Sequence, residues 1–208
     1  MSAFNLAATL AHHADRFPDR PCLVWGAETI RYGELHRRAG QTAAGLARLG
    51  IGRGDVVAVL LYTCAEFLEL MFAVARLGAV FMPINWRLAG EEVEYIAGHA
   101  GARLIVSEPE LAALVGAARG TLPEAPVVGV GGIASGWTAF ESLRSVGAMP
   151  ALAEVAADDV HRLMYTSGTT ARPKGVMITY ANLYWKNAAH VVEFGVTGAD
   201  RGLACGPL

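Results

Sequence analysis

Tyr165-Thr-Ser-Gly-Thr-Thr-Ala-Arg-Pro-Lys-Gly-Val176 packs four aliphatic hydroxyls, two glycines and one ammonium into twelve residues. Residues of mixed and apolar character lead into it, ending in the run Val160 to Tyr165, and Val176-Met-Ile178 leads out. The pattern therefore reads as a strand, a polar loop and a second strand. Backbone N–H groups, hydroxyl donors and a cation in one loop suit an anion, above all a polyphosphate. The plainer reading is that Ser167, Thr169 and Thr170 only satisfy turn amides. The Pro173-Lys174-Gly175 step that follows weighs against it.

Upstream of this stretch, short apolar runs alternate with amphipathic segments. Val56 to Leu61, Val80 to Pro83, Leu104 to Val106 and Val127 to Val130 read as strands. Between them Ala65 to Leu77, Gly90 to Ala100 and Pro109 to Ala118 read as helices. The first of these helices is apolar on most faces and should be interior; the second opens with Glu91 and Glu92, favourable near a helix N-terminus. Such a succession predicts an α/β fold with a largely parallel sheet flanked by helices. Gly131 to Ala157 is less regular, with a short helix expected over Trp137 to Leu143. After Ile178, Ala181 to Phe194 reads as a helix.

The first 54 residues have a different organisation, and the chain divides into 1–54 and 55–208. Asn5 can cap a helix in which Leu6, Leu10, Ala14 and Phe17 recur, stopped by Pro18 and Pro21. Cys22 to Trp25 and Glu28 to Arg31 flank Gly26-Ala27 as a hairpin. Tyr32, Leu35, Ala39, Thr42, Leu46 and Leu49 then form a helical stripe. It ends in Gly50-Ile-Gly-Arg-Gly54, which follows a helix and precedes a strand. That order is wrong for a dinucleotide-binding turn, and a helix cap with a turn accounts for it better.

Composition narrows the functional classes. Apolar residues make up 53% and charged residues 17% of 208, with a formal charge of −2. So little charge implies a large core or surface covered by another segment, and gives no electrostatic case for nucleic acid or an anionic membrane. Phe67 to Ile84 is interrupted by Glu69, Arg76, Gly78 and Pro83, so no membrane span is expected. No secretory signal is read at the N-terminus, and a soluble cytoplasmic protein is expected. Cys22, Cys64 and Cys205 are too scattered for a disulfide framework or a zinc site, and no metal-ligating cluster is read; the adjacent His12 and His13 are read as a solvated helix face.

The polar loop is not a Walker A loop. Five residues after Gly168 stands Pro173, and Lys174 is followed by Gly175 rather than a hydroxyl. Its spacing instead resembles the signature Y-T-S-G-[ST]-T-G-x-P-K-G-V of the adenylate-forming (AMP-binding) superfamily. That family includes acyl-CoA synthetases, firefly luciferase and peptide-synthetase adenylation domains. The match fails only at Ala171, where the family has glycine. Thr29 to Leu35, Leu46 to Val59 and the segment Leu77-Gly-Ala-Val-Phe-Met-Pro-Ile-Asn-Trp-Arg-Leu88 are similar to other parts of its fatty-acyl and aromatic-acyl CoA ligases, so the likeness covers nearly the whole chain.

The resemblance implies part of the large N-terminal domain of a ligase that uses ATP, Mg2+ and coenzyme A to convert a fatty or aromatic carboxylic acid into a thioester. Within residues 165–176 it implies phosphate contacts from Thr166, Ser167, Gly168, Thr169, Thr170, Ala171, Lys174 and Gly175. If the Ala171 position needs positive φ, alanine there costs roughly 1–2 kcal/mol. Tyr180 stands where many relatives have histidine and is assigned no role. The family's magnesium-holding glutamate, ribose-gripping aspartate, hinge and catalytic lysine find no match, nor do the aromatic residue and histidine that follow Pro-Leu. No catalytic residue is therefore expected in these 208 residues, and the chain by itself is expected to be inactive. The alternative is a non-catalytic module that binds a phosphate-bearing ligand or pairs with a complementing chain. A P-loop-type hydrolase is disfavoured by Pro173 and Gly175.

Overall fold

The computed structural model describes residues 4–145, 147–166 and 172–204. Helix α1 (Leu6–Arg16) begins as the sequence predicts: Asn5 Oδ1 accepts a hydrogen bond from the Ala7 amide at 2.9 Å. The same side chain has a second task. Its amide nitrogen donates to the carbonyls of Ala75 (3.2 Å) and Ala153 (3.1 Å), so the cap also ties three distant segments together.

Strands β1 (Pro21–Trp25) and β2 (Glu28–Arg31) form the expected antiparallel hairpin. It leads into α2 (Tyr32–Arg48). The glycine-rich stretch after α2 is a turn, with Gly50 at φ +83° and Gly54 at φ +81°, conformations that favour glycine. Asp55 accepts a hydrogen bond from the Gly52 amide and closes that turn.

From there the chain builds a seven-stranded sheet. In sequence come β3 (Val56–Leu60), α3 (Ala65–Arg76), β4 (Val80–Pro83), α4 (Gly90–Ala100), β5 (Ala102–Ser107), a 3-10 turn at Pro109–Leu111 and α5 (Ala112–Thr121). Then follow β6 (Val127–Gly129), β7 (Thr138–Ala139), α6 (Phe140–Arg144), β8 (Val160–Thr166), β9 (Lys174–Thr179) and α7 (Tyr180–Phe194). The order across the sheet is β7-β6-β5-β3-β4-β8-β9. Neighbours are parallel, except that β8 and β9 are antiparallel.

Two expectations need adjusting. The helix expected over Pro109 to Ala118 starts as a 3-10 turn and continues to Thr121. The helix expected over Trp137 to Leu143 is shorter, because Thr138 and Ala139 pair with Val128 and Gly129 instead. The open edge of β6 offers unpaired amides that local propensity cannot anticipate.

Strand residues alternate between two packed layers. Val57, Val59, Phe81, Leu104 and Val106 face α2, α3 and α6 through Leu46, Leu70, Val74 and Phe140. Ala58, Leu60, Met82 and Ile105 face α4 and α5 through Val93, Ile96 and Val115. Helix α2 thus joins the core of the main sheet, while Leu10, Ile30, Leu35 and Ala39 pack with Ala65 in a smaller cluster. The interior helix α3 carries one buried carboxylate, Glu69. It accepts Arg144 Nε at 2.9 Å and Nη2 at 2.5 Å, and the Thr42 hydroxyl completes its shell. The expected membrane-incompatible charges, Glu69 and Arg76, are therefore both buried within the helical layer, and no helix among the described residues is long and apolar enough to cross a membrane.

Candidate functional site

The two flanks of the polar loop are β8 and β9, paired from Val160 opposite Thr179 to Thr166 opposite Lys174. Tyr165 faces Gly175 in that ladder. Ser167, Gly168, Thr169, Thr170 and Ala171 lie outside the described residues. Thr166 and Lys174, both exposed, stand opposite one another at the two ends of that segment. A hydroxyl and an ammonium are thereby presented together.

Position within the sheet matters as much as the loop. β8 runs parallel to β4, with Phe81 opposite Arg162, so both carboxyl ends reach the same edge. In α/β sheets, ligands bind in crevices beyond the carboxyl ends of strands, where successive connections change side. Here α3, after β3, packs on one face and α4, after β4, on the other. A cavity of about 310 Å³ lies at this edge, and Pro83 at the end of β4, with Asn85 and Leu88 after it, lines it together with Tyr165, Thr166 and Pro173. The fold therefore brings the Leu77–Leu88 segment and the Tyr165–Val176 segment, far apart in sequence, to one site.

The polar groups of that cavity are partly committed. Asn85 Oδ1 accepts the Arg87 amide at 3.0 Å, and Glu92 accepts the Ala89 amide at 2.9 Å as part of the start of α4. Glu92 is the one carboxylate among the described residues lining the cavity. No group of three or more His, Cys, Asp or Glu side chains suited to a metal exists among the described residues.

Gly175 has a structural reason for lacking a side chain. A Cβ there would lie 3.0 Å from Tyr165 Cζ and 3.2 Å from its hydroxyl. Its φ is not among the positive values, so the backbone itself would accept alanine. The Tyr165 hydroxyl and His99 Nδ1 share a hydrogen bond at 2.7 Å. Burial raises the Tyr165 hydroxyl above its ordinary range, with Tyr95 adding to the effect. His99 stacks on Tyr95 with centroids 5.3 Å apart, and the Arg172 guanidinium sits 5.4 Å from the Tyr95 ring centroid.

The sequence assigned nothing to Tyr95, His99 or Arg172. Tyr95 and His99 are four apart on α4 and hence on one face, but periodicity alone does not say what that face meets. Tyr180, also given no role, is fully buried, and burial pushes its hydroxyl up to about 12. It meets the ring of His161 at 5.0 Å where the chain passes from β9 into α7. Both ring nitrogens of His161 are buried and find no hydrogen-bond partner among the described residues, and burial lowers it to about 4, with Arg162 contributing.

Comparison with known proteins places this geometry. The family model described as AMP-binding enzyme matches residues 10–208. A feruloyl-CoA synthase of an Amycolatopsis species is 36% identical over 192 residues, covering 92% of this chain and 36% of the relative. 4-Coumarate–CoA ligase 3 of Oryza sativa subsp. japonica is 41% identical over 177 residues, covering 83% of this chain and 31% of the relative. Among solved structures, a Rhodopseudomonas palustris protein assigned as a long-chain-fatty-acid CoA ligase superposes with a TM-score of 0.86 at 29% identity, covering 94% of this chain and 49% of that one. The chain spans about a third of the length of the two curated relatives, from the 36% and 31% coverages above.

Proposed function

The chain belongs to the AMP-binding enzyme family, and we propose that it supplies the phosphate-gripping part of an acid–thiol ligase. In that reaction an oxygen of a fatty or aromatic carboxylate attacks the α-phosphorus of ATP, and the bond to the β-phosphate oxygen breaks. Pyrophosphate leaves and an acyl-adenylate forms. The thiol of coenzyme A loses its proton to solvent and its sulfur attacks the acyl carbon, the acyl–phosphate bond breaks, and AMP departs as the thioester forms.

In this reading the chain acts on the leaving pyrophosphate. The Thr166 hydroxyl, the hydroxyls of Ser167, Thr169 and Thr170, the backbone at Gly168, Ala171 and Gly175, and the Lys174 ammonium hold the β- and γ-phosphates. Donors fixed before charge develops stabilise the transition state electrostatically. The supporting observation is the hairpin register. It sets Thr166 opposite Lys174 at the carboxyl edge of the sheet, beside a cavity of about 310 Å³.

Titration calorimetry of the 208-residue chain with ATP tests the grip. Losing one charge-assisted contact costs about 1.5–3 kcal/mol, so Lys174→Ala should weaken binding by about 10-fold or more. Equal affinity of wild type and variant refutes the assignment. ATP–pyrophosphate exchange with a panel of fatty and aromatic acids should be absent from this chain alone; robust exchange refutes its inactivity.

One observation favours the second reading, a module completed by another chain. Among the described residues β9 is the last strand of the sheet; Met177 on it (66% exposed) and Trp185 (66%) and Val192 (82%) on α7 present apolar surface. Patches of this kind mark interaction surfaces. A monodisperse oligomer that binds ATP, seen by solution mass measurement, supports the module; aggregation speaks against it.

A further inference from the structure

We propose that Tyr95 and His99 on α4 are positioning residues that hold both flanks of the phosphate-binding segment, His99 through Tyr165 before it and Tyr95 through Arg172 after it. This rests on the phosphate-binding reading above and assigns it a support that comes from α4.

The β8–β9 ladder ends at Thr166 and Lys174. Arg172 lies beyond that end, so the ladder does not place it. What meets it is the face of Tyr95, with the guanidinium carbon 5.4 Å from the ring centroid. A guanidinium over an aromatic face is held by the ring quadrupole. On the other flank, Tyr165 is fixed at its tip by His99 at 2.7 Å. The two holds are not independent, because Tyr95 and His99 stack on one another at 5.3 Å.

The base of the clamp is itself firmly seated. Val93, Ile96 and Ala97 of α4 are each 1% exposed or less, locked into the core below the sheet. Both flanks are therefore referred to one rigid element. The clamp also sets two walls of the cavity, since Tyr165 and Pro173, the latter adjoining Arg172, line it. Its function is to present Thr166 and Lys174 already placed for a polyphosphate, so that less order has to be created on binding.

Hydrogen exchange of the unliganded chain, read by mass spectrometry, tests the clamp without reference to any ligand. Tyr95→Leu and the exposed-site variant Arg172→Gln should speed exchange in peptides covering residues 172–176, and His99→Ala in those covering 163–166, while the urea midpoint changes little. Tyr95→Phe, which keeps the ring face, should behave as wild type. In ATP titrations Tyr95→Leu should bind about 3-fold more weakly, in keeping with an exposed cation–π contact, and Tyr95→Phe should restore wild-type affinity. Unchanged exchange in all three loosening variants overturns the clamp. Faster exchange with unchanged ATP affinity overturns its positioning role. A wild-type chain that binds no ATP defeats the phosphate-binding reading itself, whereas wild-type binding with Tyr95→Leu unaffected defeats the clamp alone.

Discussion

Gly175→Ala separates two reasons for a glycine at the base of the loop. The resemblance gives this residue to close approach of the backbone to phosphate. The structure gives it a second duty, because its missing side chain makes room for the Tyr165 ring at 3.0–3.3 Å from the Cβ position. An added methyl must push the ring by a few tenths of an ångström, and overpacking of this kind costs about 1–3 kcal/mol. Tyr165 is only half-buried and can swing outward, which places the cost near the lower end. Moving it loosens the bond to His99, a net loss of about 1 kcal/mol. A total of about 2 kcal/mol lowers the melting temperature by about 4–8 °C for a chain of this size. The assay is thermal unfolding by circular dichroism, in wild type and in a Tyr165→Ala background. Without the ring, the same substitution should cost less than about 0.5 kcal/mol, or even stabilise, since alanine restricts the unfolded chain more than glycine. An equal cost in both backgrounds, or none in wild type, refutes the packing explanation and leaves only the ligand.

Two further perturbations probe the frame. Glu69→Ala removes the partner of the Thr42 hydroxyl and the nearer partner of Arg144, which keeps Glu66 at 3.7 Å; losing hydrogen bonds to a charged group of this kind costs about 1.5–3 kcal/mol, and a urea midpoint unchanged from wild type would contradict this. His161 is held at about 4 in the folded state against an ordinary 6.5, so its neutral form is the one the fold accepts. Its contribution is intact above pH about 6.5 and is lost as pH falls from there toward 4, by up to about 3 kcal/mol. His161→Phe should keep the ring contact with Tyr180 and flatten that part of the pH dependence of the urea midpoint; an unaltered slope would show that His161 does not cause it.

Much of the architecture was legible in local pattern. The strand at Val80–Pro83 and the helix at Gly90–Ala100 carry the boundaries that their periodicity predicts. The cap at Asn5, the turn at Gly50–Gly54 and the hairpin delivering the loop followed from chemistry between near neighbours. The same locality fails at Thr138–Ala139, which becomes a strand only because β6 offers an open edge.

The candidate site divides along the same line. Residue types and spacing from Tyr165 to Val176 were enough to reject a Walker A loop and to single out hydroxyls and Lys174, since a phosphate grip is built mainly from neighbours in the chain. The order of the strands was not encoded so directly. Only the tertiary structure sets β8 beside β4 and so brings Pro83–Leu88 to the flanks of the loop. Nor does any local rule foresee that His99 meets Tyr165 across 66 positions, or that Arg144 reaches Glu69 across 75. Periodicity reports which face of an element is apolar; what that face touches is decided when the layers pack. For this chain the sequence determined the residue types and spacing of the Tyr165–Val176 segment, and packing determined which elements the described flanks of that segment meet.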